Sequence, residues 1–169
     1  NTMNSLSRTL ALTAAISLAI VGFAGTTSST AQAYDTESTS AINVAEDAVI
    51  LKGYDAVAYF TTGTPTAGSA KFSAVHGGAT YQFASAANLQ AFQANPAKYV
   101  PQYGGFCAMG AALGKKLDVD PTQFKIHDGK LYLNVNADVF KKWSEDVPGN
   151  IAAADLNWPL IVDKTPASL

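Results

Sequence analysis

The spacing of apolar and polar positions changes several times along this chain, and each change marks an element. A near-continuous apolar stretch runs from Leu10 to Ala24, broken by Thr13 and Ser17. It falls short of the roughly 20 residues that a membrane-spanning helix needs. Arg8 is the only charged side chain before Asp35, and Ala31-Gln32-Ala33 closes the region. A basic start, an apolar run and an A-x-A end predict a secretory signal over residues 1–33. The polar segment after it, residues 34–48, reads as a flexible leader.

From Val49 onward the pattern is that of a folded domain. Val57 to Phe60 reads as a short apolar strand after a turn at Lys52-Gly53-Tyr54-Asp55, and Thr61 to Ser69 as a loop rich in Gly, Pro and Thr. Two hairpins follow. Phe72 to His76 and Ala79 to Phe83 flank Gly77-Gly78; Phe124 to His127 and Lys130 to Leu133 flank Asp128-Gly129. Both dipeptides suit two-residue turns in which each central residue takes positive φ. Phe124, Ile126, Leu131 and Leu133 alternate with polar positions, which predicts one buried face. Each unit reads His-x-Gly-x-x-Tyr, as His76-Gly78-Tyr81 and His127-Gly129-Tyr132.

Each hairpin leads into a helix. Ser85 is an N-cap for Ala86 to Ala94, stopped by Asn95-Pro96. Asn136 or Asp138 caps a helix through Glu145 that Pro148-Gly149 ends, and Ile151 to Trp158 forms a last helical piece stopped by Pro159. Between the two units, Pro101 to Ala108 leads into a short helix ending at Gly114. The predicted fold class is α+β, small antiparallel β-hairpins packed with several short helices. The folded domain spans residues 49–160, with a C-terminal tail at 161–169.

Charge narrows the partners. After residue 33 the chain carries ten Lys, no Arg and thirteen Asp or Glu, a net charge of −3. It has no bidentate guanidinium for phosphate or guanine and no basic footprint, so no nucleic acid is expected as partner. No stable membrane insertion is expected once the signal is removed. The expected location is periplasmic or extracellular. Lys115-Lys116 and Lys141-Lys142 read as solvated helix faces or ends.

Cys107 is the only cysteine. Exported proteins usually use cysteine in disulfides, and a single one forms none within the chain. It is a core filler, an intermolecular linker or a functional thiol. It follows Gly104-Gly105-Phe106 at a loop-to-helix junction, where free backbone N–H groups would stabilise a thiolate. A closed zinc site takes four ligands, mostly Cys and His. One Cys and two His allow at most a three-ligand site, which suits Cu or an open Zn site. Cys107 and His76 are the candidate metal ligands. His76 is preferred to His127 because Gly77-Gly78 leaves more room beside it. Met109 adds a soft donor, and Tyr54 and Asp55 are pocket candidates, although an Asx-turn explains Asp55 equally well. No C-x-x-C pair, G-x-S-x-G elbow, phosphate-binding loop or H-E-x-x-H motif occurs.

The ordered set of segments resembles the longer, exported members of the YHS-domain family. The pieces are Gly53 to Phe60, Tyr81 to Ser85 with Asn88 and Phe92, Pro96 with Tyr99, Pro101 to Ala108, Asp128 to Asn134, and Trp143 and Trp158. The resemblance covers roughly residues 49–160. It implies metal binding or handling, because short YHS domains occur in heavy-metal transport and handling proteins. Those short relatives carry three cysteines, at positions that correspond to Ala58, Ala84 and Asn88 here, so their thiolate cage is missing from this chain. Three functions are consistent with these features. The first is an exported small-ligand-binding domain, with a metal ion such as Cu or Zn as the ligand. The second is a protein interaction module without metal, using an aromatic surface. The third is a thiol-dependent enzyme built on Cys107 and a histidine base.

Overall fold

The computed structural model describes residues 34–169, so the signal expected over 1–33 lies outside the described residues. Two separate two-stranded antiparallel sheets form the β part. The first pairs β1 (Ser69–His76) with β2 (Ala79–Phe83), and the second pairs β3 (Asp120–His127) with β4 (Lys130–Asn134). Gly77 and Gly78 have φ of 58° and 80°, and Asp128 and Gly129 have 49° and 72°, so both turns close as expected. The helices are α1 (Ala58–Thr61), α2 (Ala86–Ala94), α3 (Pro96–Tyr99), α4 (Ala108–Ala112), α5 (Ala137–Ser144) and α6 (Val147–Ile161). The fold class is α+β.

The caps that the sequence announced are in place. Ser85 Oγ accepts from Asn88 N at 3.1 Å and Asn136 Oδ1 from Val139 N at 2.8 Å, each satisfying one free N–H of a helix start. Two core clusters result. The larger gathers Tyr59, Tyr81, Phe83, Phe92, Leu131 and Leu133, with Phe124 and Ile126 packed on it. The smaller holds Tyr103, Ala108, Ala111, Tyr132, Trp143 and Ala154. β4 is therefore buried on both faces: Leu131 and Leu133 face one cluster, Tyr132 faces the other. The alternation in the sequence showed only the first.

Four expectations are corrected. Val57 to Phe60 is not a strand; α1 starts there because Asp55 Oδ1 accepts from Val57 N at 2.9 Å and Ala58 N at 3.2 Å. Pro148-Gly149 starts a helix rather than ending one. Asp146 caps α6 through Gly149 N at 3.0 Å, and a proline in the first turn lacks only an N–H that would have no partner there. Pro159 lies inside α6 rather than stopping it.

The fourth correction concerns Lys116, which lies between the leader and the C-terminal segment. The leader at 34–48 is tied to the body. Asn43 N donates to Gly104 O at 2.8 Å, Asn43 Nδ2 to Asp118 at 3.0 Å, and Ala167 N to Thr36 O at 2.9 Å. Gly104, at φ 61°, must be glycine, since a Cβ would run into the Ala41 carbonyl. Lys116 is no solvated lysine. It is 1% exposed, and its ammonium donates to Ser40 O (2.8 Å), Val162 O (3.0 Å) and Lys164 O (2.8 Å). It also sits 5.0 Å from the centre of the Phe106 ring. One cation thus joins the leader to the C-terminal end of α6, where the helix dipole favours positive charge. Burial pushes its pKa down, opposed by nearby Asp163.

Candidate functional site

Cys107 stands at the expected loop-to-helix junction, as N-cap of α4. Gly110 N donates to its Sγ at 3.4 Å, and Sγ lies 3.5 Å from Asn134 Oδ1, to which the thiol donates. Asn134 Oδ1 also accepts from Met109 N at 3.2 Å, which fixes which end of the amide faces the sulfur. Cys107 and Asn134 are both fully buried. Burial pushes the thiol pKa up, only partly countered by backbone N–H groups of Gly110, Val135 and Met109. The junction does not yield a thiolate, because the cost of burying a charge exceeds what those N–H groups return. A neutral, enclosed thiol is a poor nucleophile.

The other candidates lie apart. Met109 shares the first turn of α4 with Cys107 and packs partly against both clusters. His76 is exposed at the end of β1, its ring edge-on to Phe92 at 5.9 Å. His127 is half-buried, with Nε2 3.5 Å from its neighbour Asp128. Among the described residues, no group of three His, Cys, Asp or Glu side chains is placed to hold a metal ion. Tyr54 is half-buried and pairs with Ala67 in an isolated bridge.

Asp55 proves to be the centre of a different arrangement. Its carboxylate is fully buried. Besides Val57 N and Ala58 N on Oδ1, Oδ2 accepts from Ala84 N at 2.9 Å and Asn88 Nδ2 at 2.8 Å. Four donors surround one charge, which therefore stays buried without a cation. The carboxylate joins three elements: the start of α1, the end of β2 and the first turn of α2. The Asx-turn expectation accounts for the first two bonds; the other two reach across 29 and 33 residues.

Sequence reasoning missed three further buried polar residues. Lys116 looked like half of a charged pair. Asn134 ends β4, and its Nδ2 finds no acceptor among the described residues; neither does Trp143 Nε1. Nothing in their local sequence distinguishes them.

With this geometry in view, comparison with known proteins is informative in one respect. The YHS domain family matches residues 57–103, so the chain carries a YHS domain over that segment. No curated protein and no solved structure matches. The matched span covers α1, the first hairpin, α2 and α3; Cys107 and the second hairpin fall beyond it. The family is linked to metal handling, so the donor set decides whether a metal suits this chain. Of the three positions that the resemblance matches to cysteines of the short relatives, Ala58 and Ala84 present backbone N–H groups to Asp55, and Asn88 presents an amide N–H. Hydrogen-bond donors cannot ligate a cation, and the only carboxylate there is fully engaged. The residues present do not fit a metal at this place.

Proposed function

We propose that this is an exported YHS-family domain, periplasmic or extracellular, that acts as a binding module for another macromolecule rather than as a metal carrier or enzyme. One observation carries this reading: three of the four exposed large apolar side chains among the described residues, Leu156 (76%), Leu160 (70%) and Leu113 (63%), lie on α6 and at the end of α4, the fourth being Val75 on β1. An apolar surface of this kind is characteristic of a docking site. The Asp55 arrangement is in keeping with it, since the positions that correspond to the short relatives' cage serve here to hold the fold together.

Titration of purified protein with Cu(I) and Zn(II) tests the reading, and no stoichiometric uptake is expected. A second reading, soft-metal capture by Cys107 with Met109 and His76, is favoured by the backbone N–H that Cys107 Sγ accepts at the start of α4. It requires one-to-one uptake that Cys107→Ser abolishes. It also requires His76→Ala to weaken uptake. Either result would replace the binding-module reading.

A further inference from the structure

The two hairpin–helix units share more than a sequence echo. The starts of β1 and β3 (Ser69, Asp120), of β2 and β4 (Ala79, Lys130) and of α2 and α5 (Ala86, Ala137) are 51 residues apart in each case. The first strand of each hairpin carries its irregularity at the same place, between Ser69 and Ser73 and between Asp120 and Phe124. The second strand takes a parallel bridge from the segment ahead, Val49 to Thr80 and Pro101 to Leu131. Those segments turn through left-handed pairs, Lys52-Gly53 (φ 51° and 81°) and Tyr103-Gly104 (54° and 61°). Ser85 and Asn136 cap the helices, whose buried aromatics are Phe92 and Trp143. The second unit repeats the first.

At a spacing one residue longer, the repeat sets Cys107 in the place of Asp55. Asp55 accepts from Val57 N and Ala58 N, two and three residues on, from Ala84 N just after β2, and from Asn88 Nδ2. Around Cys107 stand Met109 N and Gly110 N, two and three residues on, and Val135 N just after β4. A side-chain amide is present too. Asn134 Oδ1 accepts from the thiol at 3.5 Å, and its Nδ2 is buried with no acceptor among the described residues. Donors that satisfy two carboxylate oxygens in the first unit surround one sulfur in the second, and a donor is left over.

We infer that Cys107 is an oxidation site, and that its sulfinate fills this ring of donors as the Asp55 carboxylate fills the other. A sulfinate has two oxygens and one negative charge, and thiols do not reduce it, so the change runs one way. The oxidant is hydrogen peroxide. Two molecules each pass one oxygen to sulfur: the S–H bond and two O–O bonds break, and two S–O bonds form. Sulfur gives up four electrons, two waters leave, and the proton goes to solvent. Sγ is fully buried, so peroxide enters only when the five-residue α4 opens locally, and the reaction is slow. Closure then holds the product through charge-assisted hydrogen bonds that the neutral thiol does not make. The sulfinate ties α4 to the end of β4, as Asp55 ties α1 to β2.

Peptide mass spectrometry of purified protein kept in hydrogen peroxide under native conditions reads the modification. A gain of about 32 Da on Cys107 is expected, resolved from sulfoxide at Met109, with the urea unfolding midpoint raised. A thiol that stays unmodified, stops at one oxygen or runs on to the three-oxygen sulfonate overturns the site. Cys107→Asp supplies a carboxylate without the chemistry, and Cys107→Asn has the same shape without the charge. At neutral pH Cys107→Asp should unfold at the higher urea concentration of the two. The reverse order overturns the ring of anion donors. If neither variant folds, the peroxide-treated protein decides: a midpoint that rises with sulfinate content supports the site, and one that falls overturns it.

Discussion

Asp55→Asn is the most informative single change in this domain. The carboxylate offers two oxygens to four donors: Val57 N and Ala58 N on one side, Ala84 N and Asn88 Nδ2 on the other. An amide offers one oxygen. Whichever way it turns, its own N–H groups face two donors, so two hydrogen bonds to a charged group are lost. Each such bond contributes about 1.5–3 kcal/mol, and the loss leaves buried N–H groups without acceptors. Removing the buried charge recovers some desolvation, so the expected net destabilisation is about 3–5 kcal/mol, typical of breaking one partner of a buried ionic contact. At roughly 3–5 °C per kcal/mol for a domain of this size, the melting temperature should fall by about 10–20 °C. Urea unfolding followed by circular dichroism, with the slope unchanged, is the assay. Asn88→Ala removes one donor and leaves the carboxylate three, so it should cost about 1–2 kcal/mol. Combining Asp55→Asn with Asn88→Asp restores a donor facing a carboxylate and should recover part of the loss. A fall under about 3 °C for Asp55→Asn would refute the claim that this carboxylate ties α1, β2 and α2 together.

Cys107 and Lys116 give two further predictions. The Cys107 pKa is raised in the folded protein from an ordinary value of 9.0, so its contribution to stability is full below pH 9 and is lost as pH rises toward the folded value. Tyr59, Tyr81 and Tyr103 are raised from 10.0 and act the same way one unit later. Parent protein should therefore lose stability between pH 9 and 10 more steeply than Cys107→Ser, in which only the tyrosines contribute, by up to about 1 kcal/mol; parallel slopes would show that the thiol ionises freely. Lys116→Met should cost about 2–4 kcal/mol by leaving three carbonyls without a donor. Hydrogen exchange should then accelerate first in the leader around Ser40 and beyond Val162, and uniform acceleration would show that the lysine does not join the two ends.

The sequence determined by itself whatever rests on short-range rules. Gly77-Gly78 and Asp128-Gly129 specify tight turns because few residues tolerate positive φ twice in succession. Ser85 and Asn136 specify helix starts because a side-chain oxygen two or three residues before a free N–H is a local arrangement. The family resemblance was legible for the same reason, as an ordered set of such local pieces. The candidate site was less legible. Placing Cys107 at a helix start was correct, but its burial depends on β4 and α5 arriving from about 30 residues away, and burial reverses the pKa shift that a helix start alone would suggest. Only the tertiary structure could show that Asp55 gathers Ala84 and Asn88, that Lys116 is enclosed between the leader and the segment after α6, or that β4 is buried on two faces. Local signals fail there because a short polar side chain beside a turn and a buried one holding three elements together have the same neighbours in sequence. What separates them is which distant backbone groups need a partner, and that is decided only when the two hairpins and α6 pack.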